Sequence, residues 1–280
     1  MKKFTGRRFV FFCLRHAVLL GFLLLTAYPL VWMVMTAFRT EGDAQARPLG
    51  LPEQWVMTNL AEVLRSGEFS RAYVNSLMLC TASVAIAVVL AALAAFAFAQ
   101  LRFRGSHVLF LLFLVGMMIP VHVTLIPLNR LLGVEGLNIK GGLVALAGPY
   151  IGFALPISIL ILRGAFAALP SDLLDASRVD GCSAWGVFRH VALPLSRPAL
   201  ATVVIFNFLT MWNEFAFALT LLGPGCETLP LALTRFKGEH DIQITQTSAA
   251  LVLVVIPLII VYVFAQKHII RGLTAGAVKE

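Results

Sequence analysis

Apolar residues run along this chain in long blocks, and polar residues collect between them. Six blocks reach the roughly 20 residues that a hydrocarbon layer about 30 Å thick demands of a helix. The first covers residues 17–38, the second lies within 72–101, the third within 105–129, and the fourth covers 141–162. The fifth begins near Pro198, carries one charge at Glu214 and ends near Leu222, and the sixth lies within 242–266. Hydrocarbon gives backbone amides no partner, and none of the blocks alternates as a barrel strand does. The pattern therefore predicts an all-α integral membrane protein with six transmembrane helices. Residues 1–16 precede the spans, 17–268 form the six-span domain, and 269–280 make a tail.

The opening MKKFTGRR and the apolar run after it have the charge order of a secretory signal. The run is longer than the roughly 7 to 15 residues of a signal's apolar core, so it is expected to stay as the first span. Residues 9–14, fenced by Arg8 and Arg15, are expected along the membrane interface before that span turns in.

Six spans put both ends on one side. Fourteen Lys and Arg fall on that side and eight on the other, while acidic residues number four and nine, with Glu214 inside a span. Short loops rich in Lys and Arg stay cytoplasmic, so both termini are expected inside, in a bacterial inner membrane. Composition agrees with a membrane protein: 59% hydrophobic, 13% charged, mean hydropathy +0.89. The net charge of +8 follows from topology, because the excess lies in short loops facing anionic membrane lipid. No aromatic and basic residues interleave as a nucleic-acid platform requires. The cysteines Cys13, Cys80, Cys182 and Cys226 show no C-x-x-C spacing, and the histidines form no H-x-x-x-H pair. Neither a disulfide framework nor a metal site is expected, and no cofactor.

Most connections are short, but residues 163–197, between the fourth and fifth spans, read RGAFAALPSDLLDASRVDGCSAWGVFRHVALPLSR. Ser171 after Pro170 is a helix start, and Gly181 a stop, which predicts a helix over 172–180. Ser183 is placed to cap a second. In the first helix Leu173, Ala176 and Asp180 share a face flanked by Leu174 and Ser177, a face suited to docking. A membrane-surface helix would carry Lys or Arg where this one carries Asp172, Asp175 and Asp180.

Asp175-Ala176-Ser177, then Asp180-Gly181, nine residues, and Val191-x-Leu193-Pro194 resemble the E-A-A-x-x-x-G-x9-I-x-L-P loop of permease subunits of bacterial ABC importers. Asp175 stands where glutamate is usual and Ser177 where a second alanine is usual. PVHVTLIPLNRLLG, WNEFAFAL, TLPLAL and QKHIIRGLTAGAVK are similar to the carbohydrate-importer, maltose-type branch. The resemblance implies that Asp175, Ala176, Ser177, Asp180 and Gly181 form a coupling helix seated on a cytoplasmic ATPase. It also implies a second homologous permease, two ATPase copies, an extracytoplasmic solute-binding protein and a carbohydrate cargo. The residues themselves agree on the division of labour: no G-x-x-x-x-G-K-[ST] loop exists, so nucleotide energy comes from a partner.

Glu214 is the one acidic or basic side chain deep in a predicted span. Asn207, Thr210, Met211, Glu214 and Ala218 recur on one helical stripe that is expected to face the bundle interior or an aqueous path, with Trp212 and Asn213 off it. Two readings stand: contact with cargo by Asn207, Trp212, Asn213 and Glu214, or a structural role such as hydrogen bonding between helices or an outer-end position near water. A secondary carrier would bury several ionisable residues, and no nucleophile with a base at enzyme spacing is present. Gly148-x-x-x-Gly152, Pro149 and Pro156 in the fourth span are read as structural features, and the outer loop from Arg39 to Arg71 is placed to meet the binding protein but carries no motif for it.

Overall fold

The computed structural model of the chain describes residues 6–134, 136–235 and 243–277. Lys2, Lys3, Glu135, Lys237, Glu239, Asp241, Lys279 and Glu280, which enter the charge count, and Ile242 of the sixth block lie outside the described residues. In chain order the helices begin with α1 (Gly6–Ala37), α2 (Glu41–Ala46), α3 (Thr58–Arg65) and α4 (Gly67–Gln100). They continue with α5 (Ser106–Gly116), α6 (Val121–Leu132), α7 (Val144–Ala167) and α8 (Ser171–Val179). After α9 (Ala184–Val187) and a π-helical turn (Phe188–Ala192) come α10 (Leu193–Leu195) and α11 (Arg197–Trp212). The last are α12 (Ala216–Leu221), α13 (Leu229–Arg235) and α14 (Ile244–Ala277). Among the described residues there is no strand.

Four helices are long and apolar enough to cross a membrane, or six if each of two bent pairs is one span. The third block is one such pair. α5 and α6 meet at 97°, so the expected straight helix is replaced by two pieces. Proline explains it: Pro120 has no amide to donate and pushes its predecessor out of the helical region. At 11 residues α5 reaches only about 16 Å, half of a hydrocarbon layer.

The chain divides into two compact units, Met1–Ser66 with Arg235–Val255, and Gly67–Thr234 with Ile256–Glu280. In the first unit α1 is continuous from Gly6, so residues 9–14 do not form a separate interfacial segment. Nothing between Phe9 and Ala17 stops a helix, since that stretch holds neither glycine nor proline. In the stretch Val10–Ala37 the most apolar window has no buried residue within the chain. Past its end, Arg39 is buried with its donors matched: Nε to Asp43 Oδ2 at 2.8 Å, Nη2 to the Asp43 and Arg47 carbonyls at 2.8 Å, Nη1 to Gly50 O at 3.1 Å. Asn59 Nδ2 donates to the Ala37 and Arg39 carbonyls at 2.9 and 2.7 Å. Glu41 caps α14: its carboxylate accepts from the Ile244 and Thr245 amides and, at 2.7 Å, from Thr245 Oγ1.

In the second unit α4, α7 and α11 pack together, and α5 lies on α7. Small residues make this possible: Ala91, Ala92 and Ala95 of α4 sit buried with Ile159, Leu162 and Phe166 of α7 and Val203 of α11. The Gly148 and Gly152 pair plays no such part, because nothing approaches within 4 Å of a Cβ at either. Before α7 and after α12 the chain forms a single parallel bridge, Gly141 N–H donating to Leu221 O at 2.9 Å and Gly223 N–H to Gly141 O at 3.0 Å.

The Asp43 carboxyl is held well below the usual carboxylate range by hydrogen bonds from Arg39 and then Arg47, against a smaller opposing effect of burial. Its folded pKa thus lies below the unfolded value near 3.9, so its stabilisation is complete above about pH 5 and fades as pH falls through the folded pKa. Asp43→Asn is expected to lower the thermal unfolding midpoint at pH 7, and the gap from the parent to shrink at pH 3. Unfolding in detergent at both values checks this, and a gap independent of pH contradicts it.

Candidate functional site

α8 begins one residue earlier than its sequence predicts. Pro170 holds the capping position with extended backbone (ψ 126°), which places Ser171 inside the first turn, where its hydroxyl makes no cap bond. Ser171 Oγ instead lies 3.4 Å from Asp172 Oδ1. The other end follows expectation. Gly181 adopts φ 83°, Cys182 N–H donates to Ser177 O at 3.0 Å and Gly181 N–H to Arg178 O at 3.1 Å, the paired bonds of a Schellman stop. Ser183 Oγ accepts from Gly186 N–H at 3.2 Å and starts α9.

The expected docking face splits in two. Leu174 and Ser177 turn inward, Ser177 Oγ donating to Leu174 O at 2.7 Å, and Leu174 joins Val187, Phe188 and Phe166 in the core. Ser177 is therefore on the buried side of the helix. Asp172, Leu173, Asp175, Ala176, Val179 and Asp180 stay exposed, Val179 at 87%. Arg178 pairs with Asp175 at 2.9 Å, both side chains at least half exposed, a contact of about 0.5 kcal/mol. Asp172 and Asp180 have no ion pair among the described residues. After α9, Leu193 N–H reaches back five residues to Phe188 O, and α11 then departs at 77° from the α9–α10 segment. Pro194, which lacks an amide, explains why regular bonding fails at this corner.

The fifth span is broken at 213–215, where a continuous helix was expected. Neither glycine nor proline causes this; Asn213 and Glu214 do. Asn213 Nδ2 donates to Leu209 O at 2.8 Å and closes α11. Glu214 Oε1 accepts from Phe217 N–H at 2.7 Å and Oε2 from Ala218 N–H at 3.2 Å, taking the free amides that open α12. Tyr150 Oη of α7 donates to Oε2 at 3.1 Å. Side chains that offer the backbone alternative partners thus end one helix and start the next.

Four of the five residues of the stripe line a cavity, and Ala218, beyond the break, does not. Asn207, Thr210, Met211 and Glu214 border it with Tyr150 and Phe153, in a space of about 100 Å³. That is room for about three waters, well below the roughly 300 Å³ at which small-molecule pockets begin. Asn207 is buried and donates to Ser158 Oγ at 2.8 Å, tying α11 to α7. Trp212 is 1% exposed, stacked on Phe208 at 5.4 Å and edge-on to Tyr73 at 6.0 Å. Asn213 alone of the four is exposed.

Sequence reasoning missed Tyr150, Val179 and Trp185. A phenol in an apolar span needs a partner for its hydroxyl, so Tyr150 carried a signal that went unread. Val179 and Trp185, 87% and 58% exposed, are apolar residues on either side of the Gly181 stop, where only exposure marks them.

Residues 87–275 match the family described as binding-protein-dependent transport system inner membrane component. The diacetylchitobiose uptake system permease protein DasC of Streptomyces coelicolor is 34% identical over 254 residues, 90% of this chain and 91% of its own length. The permease protein NgcG of the same organism, also named for diacetylchitobiose uptake, is 30% identical over 276 residues, covering 97% and 90%. Among solved structures, a chain of a bacterial ABC transporter that imports the acidic polysaccharide alginate shares the fold, with TM-score 0.83 over 96% of this chain at 24% identity. Matched along more than half its length and by relatives that align almost end to end, the chain belongs to the inner-membrane permease components of binding-protein-dependent transport systems, multi-pass subunits that are not themselves enzymes.

Proposed function

We propose that the chain forms part of the translocation path of an ABC importer for a sugar or oligosaccharide, and that α8 and α9 receive force from a cytoplasmic ATPase. The observation that carries the coupling reading is the outer face of α8: exposed Leu173, Ala176 and Val179 beside Asp172, Asp175 and Asp180, with Trp185 after the turn. Apolar residues exposed on a connection between spans have no reason to stay bare, and carboxylates beside them favour a cationic protein groove over anionic lipid. The partners are a second homologous permease, two ATPase copies and a solute-binding protein on the far side. A saccharide cargo is supported by the two diacetylchitobiose relatives. Both termini and the loop 163–197 lie in the cytoplasm on this reading, because Lys and Arg concentrate on that side.

For the path itself, the geometry supports different roles within the four named residues. Asn207 and Trp212 hold α11 in place, Glu214 pins the break, and Asn213 is left to face cargo. The loss of Glu214 therefore acts on the shape of the fifth span more than on affinity.

Asp175→Lys is expected to leave insertion intact while releasing the ATPase and abolishing uptake. Gly181→Val, which forces a branched residue into a left-handed conformation at about 1–2 kcal/mol or more, is expected to do the same, and Gly181→Asn to keep partial uptake. Normal ATPase co-purification and uptake with Asp175→Lys would refute the coupling role. With the four native cysteines replaced by serine, Asp180→Cys is expected to resist impermeant thiol reagents in intact cells and to react in inverted vesicles; labelling of intact cells reverses the topology. Glu214→Ala is expected to lower stability by about 1–2 kcal/mol and to depress cargo-stimulated ATP hydrolysis at unchanged apparent affinity. A fall in affinity alone would make Glu214 a cargo ligand.

A further inference from the structure

Where α4 and α7 end and α5 begins, the second unit carries a cationic cleft that transport leaves unexplained. Gln100 Nε2 donates to Phe166 O at 2.7 Å and joins the last turns of α4 and α7. The chain then turns through Gly105, at φ 85°, into α5, whose first amides receive no side-chain cap. Two adjoining clefts of about 410 and 510 Å³ lie here and share Phe103 and Ser106. Arg163 lines one, Arg102 and Arg104 the other, and neither has a carboxylate in its wall. In the sequence no Asp or Glu stands between Glu68 and Glu135.

Arg163 is the telling residue. It is half-buried, its guanidinium carbon 4.3 Å from the centre of the Phe110 ring, and its Nε is buried without an acceptor among the described residues. Held against the ring and making no ion pair among the described residues, this guanidinium keeps its charge available to an anion in the cleft that it lines. Arg102 and Arg104 are exposed and likewise make no ion pair among the described residues. Beside these cations the surface is apolar: Leu101, Phe103, Val108 and Leu109 are each at least 40% exposed. Three cations next to greasy side chains at the end of a helix bundle match a molecule with an anionic head and an apolar body.

We propose that this cleft is a binding site for the headgroup phosphate of an anionic phospholipid, held by Arg163 with Arg102 and Arg104. The site needs only that the ends of α4 and α7 reach the membrane surface, so it stands apart from cargo identity and from ATPase coupling. An inorganic phosphate would make no use of the apolar rim, and an acidic protein segment is the competing occupant that the test must separate.

The assembled importer, released from bilayers of equal phosphatidylglycerol and phosphatidylcholine, is analysed by native mass spectrometry. Phosphatidylglycerol is expected to be retained in preference, and retention to fall about fivefold for each charge removed in Arg102→Gln, Arg104→Gln and Arg163→Gln. Arg163→Lys is expected to keep most of it, which separates loss of charge from loss of packing. Because Arg102 and Arg104 are exposed, their double variant tests the site even if Arg163→Gln does not fold. Equal retention of the two lipids by the parent, or undiminished retention by the double variant, overturns the proposal. So does displacement of the lipid by millimolar inorganic phosphate, which makes the site a free-anion site. Loss of the ATPase from the double variant also overturns it, because the cleft then belongs to a protein partner.

Discussion

A peptide group in hydrocarbon finds no water, so every interruption of a membrane helix must bring its own hydrogen-bond partners. That constraint organises this molecule. Where the fifth span breaks, Asn213 supplies a donor to the helix that ends and Glu214 supplies acceptors to the helix that begins. Where the third span breaks, Pro120 removes the amide that would otherwise be stranded. The one ionisable side chain in the fifth span is thus accounted for by backbone chemistry before any cargo is invoked, and Tyr150 completes its shell.

The loop between the fourth and fifth spans obeys the opposite solvent. In water, α8 must be closed by local signals, and its Gly181 stop is complete in both hydrogen bonds. Its inner face, Leu174 and Ser177, joins the core through Phe166 and Phe188. A helix packed into the core on one side and bearing exposed carboxylates and apolar groups on the other is suited to pass on displacement, because packed side chains move as a body. The chain then turns by 77° into α11, so on the proposed coupling a push on the loop would reach the span as a tilt.

Much of this was legible in the chain. Block length predicted the spans, and glycine and serine predicted the stop of α8 and the start of α9, because these signals are local. The stripe through Asn207, Thr210, Met211 and Glu214 does face one cavity, since helical periodicity holds up to the break. What escaped was set by partners distant in sequence. Ser171 looked like a cap until Pro170 took that position, and Ser177 looked outward until Phe166 and Val187 were packed beneath the helix. The break at Glu214 escaped for a different reason: asparagine and glutamate are tolerated within helices, and only the bonds they form reveal a stop and a start.

One small contact limits how the fifth span can move. The bridge from Gly141 to Leu221 and Gly223 fastens the far end of α12 to the chain entering α7, while Glu214 and Tyr150 fasten its near end to the body of α7. α12 is thus tied to α7 and to the chain that enters it at both of its ends. On the coupling proposed above, a swing delivered to α11 would be taken up at residues 213–215, the one non-helical stretch between it and α12 and the border of the small space beside Tyr150.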